Sequence, residues 1–136
     1  MIDNDYDIIK EKYGIKSFRF ELDIAPCPAP RMTQRDKWAK RPIVMRYFGF
    51  KDEVRSHCKL IGYELENVLN IVFVVTMPES WSKKKKNEML YQLHTQRPDR
   101  DNYLKAFQDS FDGDDGLVAD GRTLKIWGLK PAIIIF

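Results

Sequence analysis

The chain of 136 residues is poor in cysteine and histidine and has no long apolar run. Cys27 and Cys58 are the only thiols, and one possible pair in a chain of this length makes no disulfide framework, so both are expected to be reduced. His57 and His94 stand apart from each other and from any Cys-x-x-Cys spacing, which removes the usual zinc patterns. The longest apolar stretches, "IVFVV" and "AIIIF", fall far short of the roughly 20 residues a membrane span needs. The opening "MIDNDYDIIKEKYG" is acidic and has no basic stretch followed by an apolar one, so no secretory signal is visible. The expectation is a soluble, cytoplasmic protein with no membrane association.

What the chain does have is the composition of a globular domain. It is 43% hydrophobic, 12% aromatic and 32% charged, enough apolar material to close one core. Residues 1–136 therefore read as a single domain, with 1–16 as an N-terminal extension and 25–46 as a basic loop. Net charge is only +3, but the charge is unevenly spread. Arg31 to Lys59 holds nine basic residues against three acids, while Asp99 to Asp120 holds seven aspartates against Arg100 and Lys105. The first stretch attracts polyanions such as nucleic acid. The second concentrates acid where base is scarce.

Periodicity places the elements. "SFRFELDI" (17–24) alternates Phe18, Phe20, Leu22 and Ile24 with polar residues, the period of a half-buried strand. "APCPAPRMTQRDKWAKRP" carries four prolines and no apolar period, so it reads as a long loop. Arg31, Arg35, Lys37, Trp38, Lys40, Arg41 and Arg46 give this region and its edge the mix of cations and an aromatic ring that suits nucleic acid. Phe50, Val54, Cys58, Ile61 and Leu65 predict an amphipathic helix, and the β-branched run at 68–77 a central strand. A short helix follows, with Ser80 as its expected N-cap and Lys83 to Lys86 on a solvated face. Another begins near Asn102, capped by Asp101 and carrying Leu104, Phe107 and Phe111. "RTLKIWGLK" and "PAIIIF" close the chain as strands, the latter in the core. The order predicts an α+β domain with a mixed sheet packed by helices.

The chemistry concentrates in "RPDRDNYLKAFQDSF" (97–111). One aspartate at a helix entrance is explained by capping and by the helix dipole. Two, Asp99 and Asp101, repel each other unless a cation lies between them, and Asp-x-Asp at an element junction supplies hard oxygen ligands of the kind Mg²⁺ takes. Asp120, before the next strand, offers a third carboxylate. Lys105, four residues after Asp101, can meet a phosphate oxygen or form an ordinary ion pair with that residue. "DGDDG" is not a calcium loop: counted from Asp112, Leu117 and Thr123 fall where an EF-hand needs glycine and glutamate.

These residues resemble the RusA family of Holliday-junction resolvases, small endonucleases common in phages and prophages. Asp99, Asp101 and Asn102 match its Asp-x-Asp-Asn, Lys105 its lysine, Asp109 the aspartate one turn on, and Asp120 the last acidic site. Members often carry two adjacent aspartates there, whereas here Ala119 precedes Asp120. The resemblance spans about Phe18 to the last strands, with "PAPRMTQRDKWAKRP" similar to the family's basic segment. It implies a homodimer that binds four-way DNA junctions and nicks two opposing strands with Mg²⁺ or Mn²⁺. Asp99, Asp101 and Asp120 would then hold metal, with Lys105 beside the scissile phosphate. Asn102 and Asp109 would support them, and Arg100 would join the basic loop residues on DNA. The alternatives are a phage nuclease for other branched DNA and a non-catalytic basic DNA-binding protein.

Overall fold

The computed structural model of the chain describes residues 3–30, 41–113 and 115–136. In chain order its elements are α1 (Asp3–Tyr13), β1 (Phe20–Leu22), α2 (Pro42–Ile61), β2 (Ile71–Thr76), α3 (Lys83–Met89), α4 (Arg100–Gln108), a 3-10 turn (Asp115–Leu117), β3 (Thr123–Gly128) and β4 (Ala132–Ile135). They fall into two compact units. The first takes the chain up to Pro26, Leu69–Thr95 and Gly121–Phe136; the second takes Cys27–Val68 and Gln96–Asp120.

The first unit holds the sheet, ordered β1-β4-β2-β3. β2 and β3 run parallel, while β4 is antiparallel to both β2 and β1, so the sheet is mixed and the fold α+β, as the sequence predicts. Every residue of Ile71–Val74 and of Ala132–Ile135 is buried, because β2 and β4 are the two inner strands. The "AIIIF" segment is a core strand. One face of the sheet presents Val72, Val74, Leu124, Ile126, Ala132 and Ile134 to a core shared with Ile9 of α1 and Tyr91. β1 is shorter than its alternating pattern suggests, because it is an edge strand paired only with the four residues of β4.

The N-terminal extension is a helix that periodicity did not disclose. Its buried stripe is narrow: Ile9 is fully buried and flanked by half-buried Tyr6 and Tyr13, while Ile8 points outward. Gly14, at φ +67, ends α1 in the left-handed conformation that glycine tolerates best, and the Ile15 N–H returns to the Lys10 carbonyl at 2.8 Å. The N-cap of α3 is Ser82 rather than Ser80, with the Ser82 hydroxyl accepting from the Lys85 N–H at 3.1 Å. Among the described residues no helix is long and apolar enough to cross a membrane.

The second unit is helical. α2 starts at Pro42, inside the expected 25–46 loop, which corrects that boundary. Proline is well placed at the first helical position, where its missing N–H is not needed. The stripe of α2 runs Val44, Tyr47, Phe50, Val54 and Cys58 and stops at Gly62, φ +73, so Ile61 is exposed and Leu65 lies beyond the helix. α4 begins two residues earlier than predicted, with Asp99 and not Asp101 at the N-cap, since Pro98 restrains only the residue before it. It buries Tyr103, Ala106 and Phe107 and ends at Gln108, leaving Phe111 in the turn beyond.

Candidate active site

The acid-rich mouth of α4 sits in the second unit. Asp99 has the extended backbone of an N-cap, φ −64 and ψ 148, and its carbonyl accepts from the N–H of Asn102 at 3.0 Å. Its carboxylate makes no capping hydrogen bond, although capping is what an aspartate at this position ordinarily does. Asp101 lies in the first turn, and Asp99, Arg100, Asp101 and Asn102 are all exposed. Two exposed acids thus stand at the one end of a helix where negative charge is favoured.

Lys105 is also exposed, but it does not pair with Asp101. Its Nζ lies 3.6 Å from Oδ2 of Asp109, one turn further in. That same oxygen accepts from the Tyr47 hydroxyl at 2.6 Å, so Asp109 is held from α2 while it holds the lysine. Tyr47 was invisible as a site residue in the sequence. It belongs to the apolar stripe of α2 and is buried, and only its phenolic tip is polar. Nearby, Arg55 of α2 donates from Nε to the Ser110 carbonyl at 3.1 Å, a second tie to the C-terminal end of α4.

Asp120 is placed by backbone. Its N–H and that of Ala119 both donate to the Asn67 carbonyl, at 3.1 and 2.8 Å, and Asp120 forms an isolated parallel bridge with Val68. The next residue must be glycine: Gly121 is at φ +139, and a Cβ there would lie 1.8 Å from the Leu69 carbonyl oxygen. The Asp120 side chain is exposed. Among the described residues no three His, Cys, Asp or Glu side chains come together as a group able to hold a metal ion. Asp99, Asp101 and Asp120 are therefore not drawn into one cluster. Like charges in solvent have no reason to converge without a cation to share.

Their donor chemistry nonetheless fits a hard divalent ion. Mg²⁺ is usually held by one or two carboxylates, with water and substrate phosphate completing its shell, and not by a closed protein cage. Asp99 and Asp101, exposed on one turn with the cap bond of Asp99 unmade, supply oxygens of that kind.

Of the expected DNA-binding residues, Arg31, Arg35, Lys37, Trp38 and Lys40 lie outside the described residues. Arg41 is the exposed N-cap of α2, and Arg46 is exposed on its second turn. Arg46 is also near Cys27: burial pushes the Cys27 thiol up from its ordinary pKa, and the guanidinium charge partly offsets this. Cys58 is pushed up to about 11 by burial, so neither thiol is poised as a nucleophile. The N–H of Ala29 donates to the Asn102 carbonyl at 3.3 Å, which ties the approach to the basic segment to the first turn of α4.

Exposed carboxylates at a helix mouth, with an ammonium group steadied one turn inside, define a centre suited to phosphate chemistry assisted by a hard cation. The model of the family Endodeoxyribonuclease RusA matches residues 23–136, and the chain belongs to that family of DNA-cutting enzymes. No curated protein sequence matches it.

Proposed function

We propose that the protein is a structure-specific endodeoxyribonuclease that resolves four-way DNA junctions by paired, symmetric nicks, with Mg²⁺ as its cofactor and Mn²⁺ as a substitute. The observation that carries this reading is the carboxylate of Asp99, which is exposed and makes no capping hydrogen bond to the helix whose N-cap it occupies.

Asp99, Asp101 and Asp120 are the residues that would hold the ion. When bound, it supplies activation of water and screening of the leaving 3′ oxygen. Lys105 neutralises charge growing on the scissile phosphate, and Asp109, gripped by Tyr47, keeps its ammonium group in place. Asn102 and Arg100 flank the acids on the first turn of α4, where they orient ligands and meet the DNA backbone. The basic residues Arg31, Arg35, Lys37, Lys40, Arg41 and Arg46, with Trp38, hold the arms of the junction. Two-fold association of the chain would present two equivalent centres to two equivalent strands.

The test is an incubation of the purified protein with a labelled four-way junction and a linear duplex of the same sequence, in Mg²⁺ and in chelator. Paired nicks at symmetric positions in the junction, only with Mg²⁺, are the expected result. Nicks that survive chelation would remove the metal, and equal cutting of linear duplex would remove the junction specificity. Binding without nicking in any divalent ion would leave a DNA-binding protein.

A further inference from the structure

The second unit contains a cavity of about 430 Å³ that plays no part in the chemistry above. This lies within the range of roughly 300–1,000 Å³ common for small-molecule sites. It opens between the C-terminal half of α2 and the far end of α4. Tyr63 and Phe111 form an aromatic corner, with ring centroids 5.9 Å apart and planes at 75°. Arg55 and Lys59 supply cations, Gln108 an amide, and Asp112 and Glu64 carboxylate acceptors, so the charges of the lining balance. Arg55 is fixed before any ligand arrives: its Nε is bound to the Ser110 carbonyl at 3.1 Å and one terminal nitrogen lies 3.6 Å from Asp52. Its remaining N–H groups are left for a further acceptor.

The half-buried ring of Phe111, backed by Tyr63, for a planar ring, an amide and carboxylates for its polar edge, and two cations for a phosphate together describe a nucleotide. We propose that this pocket receives one nucleotide drawn out of the stack of the DNA substrate near the point of cleavage. The proposal rests on the nuclease reading above. Gln108 is the last residue of the helix that Asp99 caps, so pocket and acidic mouth are separated by about 13 Å along α4. At 3.4 Å per stacked nucleotide, the extruded residue lies within about four nucleotides of the scissile phosphate. Extrusion costs least where stacking is already interrupted, as it is beside a branch point. The pocket would thus reward a branched substrate over an unbroken duplex.

The experiment uses the Asp101→Asn chain bound in Mg²⁺ to four-way junctions with 2-aminopurine at successive positions within about four nucleotides of the phosphate the parent cuts. At the position next to the extruded nucleotide the fluorescence should rise at least about threefold over the free junction, because that 2-aminopurine loses its stacking neighbour, while a base seated on the aromatic corner stays quenched. Adding Gln108→Trp, which fills the pocket, should return that signal to the free value while fluorescence anisotropy still reports binding. If Gln108→Trp does not fold, Lys59→Gln at an exposed position takes its place and should lower the same signal. Binding without a position-specific rise, or a rise that both pocket variants leave intact, overturns the pocket and leaves the nuclease standing. If the parent cuts no junction in Mg²⁺, the nuclease reading falls and the pocket falls with it.

Discussion

The core of the sheet unit and the acidic mouth of α4 in the helical unit treat their side chains in opposite ways. In the sheet unit, Ile71, Val72, Phe73, Val74, Ile133 and Ile134 are all 0% exposed. In the helical unit, the residues proposed for chemistry, Asp99, Asp101, Asn102, Lys105 and Asp120, are all exposed. Their positions come from backbone bonds and a few polar contacts, such as the Asp99 carbonyl on Asn102 and the Tyr47 hydroxyl on Asp109. The difference teaches that stability and chemistry are carried by separate residues. A change that ruins one should spare the other.

The largest effect should come from the sheet. Phe73→Ala empties the centre of the inner strand β2 and should cost about 3–5 kcal/mol, measured as a fall in the denaturant midpoint. A midpoint that hardly moves would break the contrast at its stable end. A smaller effect is expected where a core side chain serves the site. Tyr47→Phe keeps the ring in the α2 stripe but removes the hydrogen bond to the Asp109 carboxylate, at about 1.5–3 kcal/mol. Single-turnover cleavage should slow by about tenfold while junction affinity holds, because only the footing of Lys105 is lost. Equal cleavage by Tyr47→Phe would reduce Asp109 to a surface partner.

The smallest effect is a pH dependence. His94 is buried against Trp127, ring centroids 4.1 Å apart, and its Nδ1 has no hydrogen-bond partner among the described residues. Burial holds its pKa below the ordinary histidine value, and the nearby Lys125 charge pushes the same way. The unfolded chain takes up that proton near pH 6.5 and the folded chain only at lower pH, so between the two the unfolded state binds more protons. Stability should therefore fall as pH drops below about 6.5. Melting curves across that window should show the slope in the parent and a shallower one in His94→Phe.

Much of the fold was legible because its inner strands are plainly apolar: "IVFVV" reads as a central strand, and "AIIIF" as a core strand in preference to a dimer edge. α1 was not, since its buried face amounts to Ile9 and two tyrosines among charged residues. The start of α2 hid behind Pro42, which reads as a breaker until it is recognised as a first helical residue. The acids proposed for the site stand out in the sequence as a crowd of like charges, of which capping explains only one. What a linear pattern could not reveal were contacts between distant residues. Tyr47 meets Asp109 across 62 positions, and the backbone at Asp120 is pinned to Asn67. The capping role also moved from Asp101 to Asp99, because cap position depends on where the chain leaves Pro98 and not on which residue suits it best.

The most direct measurement is a Mg²⁺ titration of single-turnover junction cleavage by Asp101→Asn beside the parent, with a thermal melt of each. The account predicts cleavage reduced by at least about 10²–10³-fold and a chain that melts as high as the parent, since an exposed carboxylate in the first turn of α4 contributes little to stability. Cleavage by Asp101→Asn at the parent's rate and with the parent's Mg²⁺ midpoint would contradict it.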